Sequence, residues 1–286
     1  MTKLIFIGAS GMLGKPVAKE LIKAGFEVTL LARDDNKMKQ LFPTAKIIQG
    51  DIMDKSSLEK ALGGQDIVYM NLSVAQYSKK KDAQPEREGL KNVLEISKKT
   101  GIKRVGYLSS LIKNYQGMNG FHWWSFEIKN NAVEMIKSSG ITYSIFYPST
   151  FMETLDQQMK KGKNITLVGR SEMPMWFIAS ADYARQVIKA FQIAGNTNQE
   201  YIIQGTEAYT FEQAAKIFKG NYSTPLKIIN IPIGIPKFLG NFVQMINYGA
   251  NICEALNKYP EKFESEKTWA DLGKPSISLA QYASSL

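Results

Sequence analysis

Residues 4–14, LIFIGASGMLG, decide how the chain is read. A β-favouring apolar run at 4–7 ends in three glycines spaced three apart, Gly8, Gly11 and Gly14. Helical periodicity begins at once, with Val17, Ala18, Leu21 and Ile22 on one face and lysines around the other. Gly25 stands where that helix should stop. A turn of this kind suits a pyrophosphate. Gly8 permits the tight strand-to-helix turn, Gly11 lets the ligand approach the backbone, and Gly14 lets the helix pack closely on the strand. The helix start then offers free N–H groups and the positive end of its dipole. Ser10 adds a hydroxyl, and Met12 and Leu13 complete the turn.

The same rhythm continues outward. Segments 26–31, 46–48, 66–70, 104–108 and 141–147 read as strands, and 36–42, 58–62, 86–100 and 125–138 as the helices between them. Regular strand–helix alternation predicts a doubly wound, Rossmann-type parallel sheet with right-handed crossovers. Beyond Pro148 the rhythm loosens. A strand at 165–168, a helix at 181–194, a strand at 201–204 and a helix capped by Thr210 follow. One further helix is expected from Pro236, with Phe238, Leu239, Phe242, Val243, Ile246, Ala250 and Cys253 on one face, as core or lid. The fold class is therefore α/β. Residues 1–150 form the dinucleotide-binding core. Residues 151–286 form a mixed C-terminal part, with elements returning to the core and a small α/β lid over a substrate pocket.

Composition narrows the function. The 286 residues are 44% hydrophobic, enough for one sizeable core. Lys and Arg exceed Asp and Glu by 36 to 26, but they are scattered, and no arginine-rich or aromatic–basic stripe suggests a nucleic-acid groove. The single Cys253 forms no internal disulfide, and the single His122 excludes a histidine-rich zinc site, so no metal centre is expected. The most apolar long stretch, 225–256, is interrupted by Pro232, Pro236, Lys227 and Lys237, so no membrane contact is expected. With no signal-peptide pattern ahead of the first strand, a cytoplasmic protein is expected. The composition sets no oligomeric state.

The strand ends carry the chemistry. A free ribose 2′-hydroxyl favours an acidic residue after the second strand. Arg33 stands there instead, with Lys37 four residues on, and a guanidinium matches a 2′-phosphate. NADP(H) is thus expected over NAD(H), unless Asp34 does the reading. Asp51, beside Ile52, suits the adenine amino group. Asn71, Leu72 and Ser73 end the fourth strand, and Ser109 and Ser110 the fifth, at the carboxyl edge where open sheets bind ligands.

Taken in order, GASGMLG at 8–14, Arg33, Gly50-Asp51, Leu108-Ser109-Ser110, Lys129 with Glu134, and SIFYPS at 144–149 resemble an atypical short-chain dehydrogenase/reductase of the NmrA-like group. The resemblance implies an NADP-binding fold shared by redox-sensing regulators and by reductases. It puts Lys129 at the nicotinamide ribose, and Tyr147 and Pro148 among the cofactor contacts. It also exposes a departure. Enzymes of the wider superfamily carry Tyr-x-x-x-Lys, in which the Tyr is the acid/base; here Ser125 stands four residues before Lys129. Lys129 is then the catalytic candidate, with His122 as a proton donor. Ser110, Trp123, Trp124, Phe151 and Trp176 are expected to line a pocket for a flat, apolar substrate. The resulting expectation is an NADP(H)-dependent oxidoreductase acting on a small carbonyl, enone or quinone. A non-catalytic NADP-binding sensor with a protein partner is the alternative. A sugar-nucleotide epimerase or dehydratase is a third reading, disfavoured by the missing Tyr.

Overall fold

Seven parallel strands form the central sheet in the computed structural model, which describes residues 2–286. The first half alternates as the sequence predicts. It runs β1 (Lys3–Ile7), α1 (Gly14–Lys23), β2 (Glu27–Ala32), α2 (Asp35–Leu41), β3 (Lys46–Gln49), α3 (Lys55–Leu62), β4 (Ile67–Met70), α4 (Leu90–Thr100), β5 (Arg104–Leu108), α5 (Trp124–Lys137) and β6 (Thr142–Pro148). The strands are apolar along their length because both faces are covered, as parallel sheets require. On one face Val17, Ala18 and Leu21 of α1 meet Tyr183 and Val187. On the other, Leu58, Leu90, Val93, Val133 and Ile136 pack from α3, α4 and α5. These strands lie in the order β6-β5-β4-β1-β2-β3, which reverses at β1, between β4 and β2, so the crevice for a ligand opens above the end of β1.

The second half returns to this sheet before leaving it. β7 (Lys160–Lys161), β8 (Asn164–Val168) and β9 (Met175–Trp176) precede α6 (Ser180–Ile193), which packs beside α1, and β10 (Gln199–Ile203), which pairs in parallel with β6 as the outer strand. β11 (Ala208–Tyr209) pairs with β9, and α7 (Phe211–Asn221) starts in a Thr210–Gln213 capping box. β12 (Lys227–Ile231) pairs with β8, and β8 with β7, in a small three-stranded sheet. The chain ends in α8 (Gly234–Gly240), α9 (Gln244–Lys258), α10 (Glu266–Leu272) and α11 (Leu279–Ser284). A separate apolar cluster joins β8, α7 and α11. Buried Asp182, near the start of α6, accepts the backbone N–H groups of Ser276 and Ile277 and so fastens the C-terminal segment to the core.

Two expectations are corrected here. The helix expected at 86–100 opens with a wider π turn over Pro85–Gly89 before α4 begins. The single helix expected from Pro236 is two helices, broken by the extended backbone of Val243 (φ −127°, ψ 110°). Gly240 explains the fold-back: a Cβ there would lie 2.8 Å from the Asn247 Cα, so only glycine lets α8 and α9 approach this closely. The apolar stripe consequently divides. Ala250 is buried, whereas Phe238 and Phe242 stay exposed.

Candidate functional site

The glycine turn holds its shape through contacts that no other residue would tolerate. Gly8 sits at φ +94°, and a Cβ there would run into the Asn71 carbonyl at the end of β4. A Cβ at Gly14 would collide with the Gly8 carbonyl and the Ala9 backbone. Gly11 N–H donates to the Gly8 carbonyl at 3.3 Å and closes the turn. At the start of α1, Leu13 provides no side-chain cap, and no acidic residue lies in the first turn. Within the helix the Lys15 N–H already donates to the Gly11 carbonyl at 3.1 Å and Pro16 has no N–H, so an anion would be met by the turn backbone ahead of Lys15 and by the positive helix end.

From this turn a trough runs both ways along the carboxyl edge of the sheet. Its outer part, about 460 Å³, reaches from Gly8 and Ser10 past Arg33 and Lys37 to Asp51 and Ile52. Arg33 and Lys37 are exposed at its mouth. Asp34 has a task of its own: its Oδ1 accepts the Lys37 N–H at 3.0 Å and caps α2. That leaves the Arg33 guanidinium as the group free to read a ribose substituent. One Asp51 oxygen accepts the Met53 N–H, and the other is available to the trough.

The inner part, about 340 Å³, shares Gly8, Gly11, Asn71, Leu72 and Ser73 with the outer one. Met12, Leu13, Ser109, Ser110, Lys129, Pro148 and Phe151 complete most of its wall. The Ser109 Oγ is buried and has no hydrogen-bond partner among the described residues, as expected of a group kept for a polar ligand. The donors, the orphaned hydroxyl and the two-part length fit a dinucleotide, its pyrophosphate at the glycine turn and its ends in the two parts of the trough. A third recess of about 180 Å³ continues from Met12, Leu13, Ser110 and Phe151 to Glu261. Burial pushes the Glu261 carboxyl up to about 7, against the opposing hydrogen bonds donated by Gln204 Nε2 and Ser149 Oγ.

Lys129 is held by a residue the sequence reading passed over. Its Nζ donates to Glu86 Oε1 at 2.5 Å, and the Tyr107 hydroxyl donates to the same oxygen at 2.6 Å. Glu86 lies in the π turn and is 1% exposed, and its Oε2 has no hydrogen-bond partner among the described residues. Burial and the Glu86 charge drive the Tyr107 phenol well above its ordinary range, so it stays protonated and donates. A signal was present: Glu86 precedes Leu90 by four residues and Val93 by seven, on the buried stripe of the helix. Tyr248, from α9, also lines the inner cavity and carried no local signal at all.

Several expected residues are not brought to the trough. The backbone at Phe121 and Trp123 is extended, so side chains alternate. Phe121 and Trp123 turn inward to a core cluster with Phe126 and Ala255, and His122 turns out to solvent. Trp124 packs at the edge of that cluster. Trp176 packs on Phe263, ring centroids 5.8 Å apart, rather than in the recess. Tyr147 alternates away from Pro148 and donates its hydroxyl to Glu200 Oε2 at 2.7 Å. Gly14 shapes the turn from behind without lining the cavity.

The profile of the NmrA-like family matches residues 1–277, and the chain belongs to that family. Among curated relatives, photosystem II assembly factor Ycf39 of Cyanophora paradoxa is 21% identical over 257 residues, covering 88% of this chain and 79% of that protein. Among solved structures, a nucleoside-diphosphate-sugar epimerase from Staphylococcus aureus is similar with a TM-score of 0.78 at 17% identity, over 99% of this chain and 100% of that one. An NADPH-dependent quinone oxidoreductase from Escherichia coli, solved with NADPH, has a TM-score of 0.73 at 20% identity, over 99% of each chain. At these identities the structural likeness is one of fold.

Proposed function

We propose that this chain binds NADP(H) and reduces a small apolar or aromatic carbonyl, enone or quinone. The observation that carries the proposal is the single trough, entered past an exposed Arg33 and floored by Lys129 and the unpartnered Ser109 hydroxyl. Arg33 and Lys37 recognise the 2′-phosphate, the glycine turn takes the pyrophosphate, and Lys129 orients the nicotinamide ribose. When bound, the cofactor supplies the hydride. The chain's own part is to orient the substrate against Met12, Leu13 and Phe151 and to keep water from the reacting carbon. The likeness to a quinone oxidoreductase solved with NADPH supports the reading. The test has two steps: fluorescence titration with NADPH and NADH, then loss of NADPH absorbance against aromatic ketones, enones and quinones. Tight NADPH binding with turnover of at least one class is expected. Tighter binding of NADH overturns the cofactor assignment, and no turnover with any class overturns the reductase.

A second reading, a non-catalytic NADP(H) sensor, is favoured by Ser125 in the tyrosine position and by exposed Ile235, Phe238, Phe242 and Met245 on the α8–α9 hairpin. NADPH binding without turnover, together with a protein captured only in one cofactor redox state, would decide for it.

A further inference from the structure

The tyrosine missing from α5 has a counterpart elsewhere in space. α9 presents Tyr248, Ile252 and Leu256 one turn apart along the inner cavity and the adjoining recess. Tyr248 thereby lines the same 340 Å³ cavity as Lys129 and Ser109, although it lies 119 residues beyond Lys129 in sequence (248 − 129). Its ring is fixed edge-on against Trp123, centroids 5.0 Å apart, and Trp123 is itself packed on Phe126. No hydrogen bond within the described residues occupies its hydroxyl. The ring is thus held and the hydroxyl is left for a ligand.

We infer that Tyr248 is the catalytic phenol of this site and donates the proton to the substrate oxygen during reduction. The inference rests on the reductase reading above. In the step, the substrate carbonyl carbon accepts a hydride from the reduced nicotinamide and forms the new C–H bond. The C=O π pair moves onto oxygen, which takes the Tyr248 proton. The products are the alcohol and a phenolate, and solvent water returns the proton to the phenolate. Lys129 opens on the same cavity but is itself held by Glu86, so the phenolate is relieved by the returning proton rather than by a free ammonium.

The electrostatic setting differs from that of a Tyr-x-x-x-Lys pair. There the lysine lowers the phenol pKa; here Glu86 already holds the Lys129 ammonium. Burial, aided by the Glu86 charge, pushes the Tyr248 phenol up to about 12. The group is therefore a loaded acid throughout the neutral range, suited to reduction rather than to the oxidative direction.

The test compares the chain with its Tyr248→Phe variant, which keeps the ring against Trp123. Benzil and menadione serve as acceptors, NADPH affinity is followed by fluorescence, and folding by thermal melting. The expected result is a loss of about a hundredfold in kcat with NADPH Kd and acceptor KM within about twofold of the parent. A difference absorbance titration, parent minus Tyr248→Phe, should show one phenol ionising above the ordinary range, and Glu86→Gln should bring it down. Full kcat in Tyr248→Phe overturns the inference and leaves the reductase reading standing. A fall in NADPH affinity or melting temperature that accounts for the lost rate also overturns it, in favour of a structural role. If the parent oxidises NADPH with neither acceptor, the reductase reading fails and the inference with it. An alkaline phenol indifferent to Glu86→Gln refutes the assigned surroundings whatever the activity.

Discussion

Replacing Lys129 by Met will cost more stability than replacing Lys129 and Glu86 together. Glu86 is 1% exposed, and its ion pair with Lys129 supplies its positive partner. Removing one member of a buried ion pair costs about 3–5 kcal/mol, because the remaining charge is stranded. The lower end, about 3 kcal/mol, applies here, since the Tyr107 hydroxyl still donates to Glu86 and the cavity beside Lys129 admits water. Glu86→Gln alone leaves the ammonium against an amide oxygen, on a side chain 15% exposed, and should cost about 2 kcal/mol. The double variant buries no net charge and keeps the Tyr107 bond, at a cost of about 1–2 kcal/mol. The double therefore falls short of the summed single losses by about 3–4 kcal/mol. Urea unfolding of the cofactor-free protein at neutral pH, with a common m-value, measures all four corners. Additive losses, agreeing within about 0.5 kcal/mol, would refute the coupling.

Arg33→Ala should weaken NADPH binding at least tenfold while leaving NADH within about twofold, since only the 2′-phosphate contact is lost; fluorescence titration with both cofactors reads the ratio, and an equal loss for both would remove Arg33 from 2′-phosphate recognition. Gly14→Ala should cost about 1–3 kcal/mol and depress binding of both cofactors alike, because its Cβ meets the Gly8 carbonyl; parent-like melting and affinity would contradict the close packing. Glu261, raised to about 7, binds its proton more tightly folded than unfolded. Its stabilisation is complete below the unfolded carboxyl pKa and lost as pH rises through about 7, about 3 kcal/mol in all. Glu261→Gln, which preserves partners for Gln204 and Ser149, should flatten that part of the pH–stability curve, and an unchanged slope would show that Glu261 is not its source.

The part of the site legible in the sequence is the part built locally. Gly8, Gly11 and Gly14 announce their turn because strand, turn and helix are consecutive, and the steric demands on each glycine arise within that unit or from the next strand. Arg33 is legible because a strand end fixes its position whatever follows. Trp123, Trp124 and Trp176 misled for an energetic reason: large aromatic side chains satisfy a core as well as a pocket, and burial near a helix start claimed Trp123. Residue type alone does not separate those fates. Glu86, Tyr248 and Glu261 were missed because their meaning depends on contacts made across the chain. Glu86 reaches 43 residues to Lys129, and Tyr248 enters only because Gly240 and Val243 fold α9 back. The exposed Phe238 and Phe242 were hidden by the same turn, which splits one apparent apolar stripe between two helices.

Glu86 also bears on why Ser125 stands where a tyrosine would be expected. A phenol four residues before Lys129 is useful when the ammonium is free to lower its pKa. In this chain the ammonium is committed at 2.5 Å to a buried carboxylate that also accepts from Tyr107. A tyrosine at 125 would meet a lysine whose field is largely cancelled, and it would have to fit at a position only 5% exposed. The small hydroxyl at 125 and the buried carboxylate at 86 are therefore one arrangement rather than a loss and an accident. Together they remove the arrangement that favours a phenolate, and they leave proton supply to a group that remains protonated. In this cavity Tyr248 meets that requirement from a different element, and Lys129 is kept in place by the residue that neutralises it.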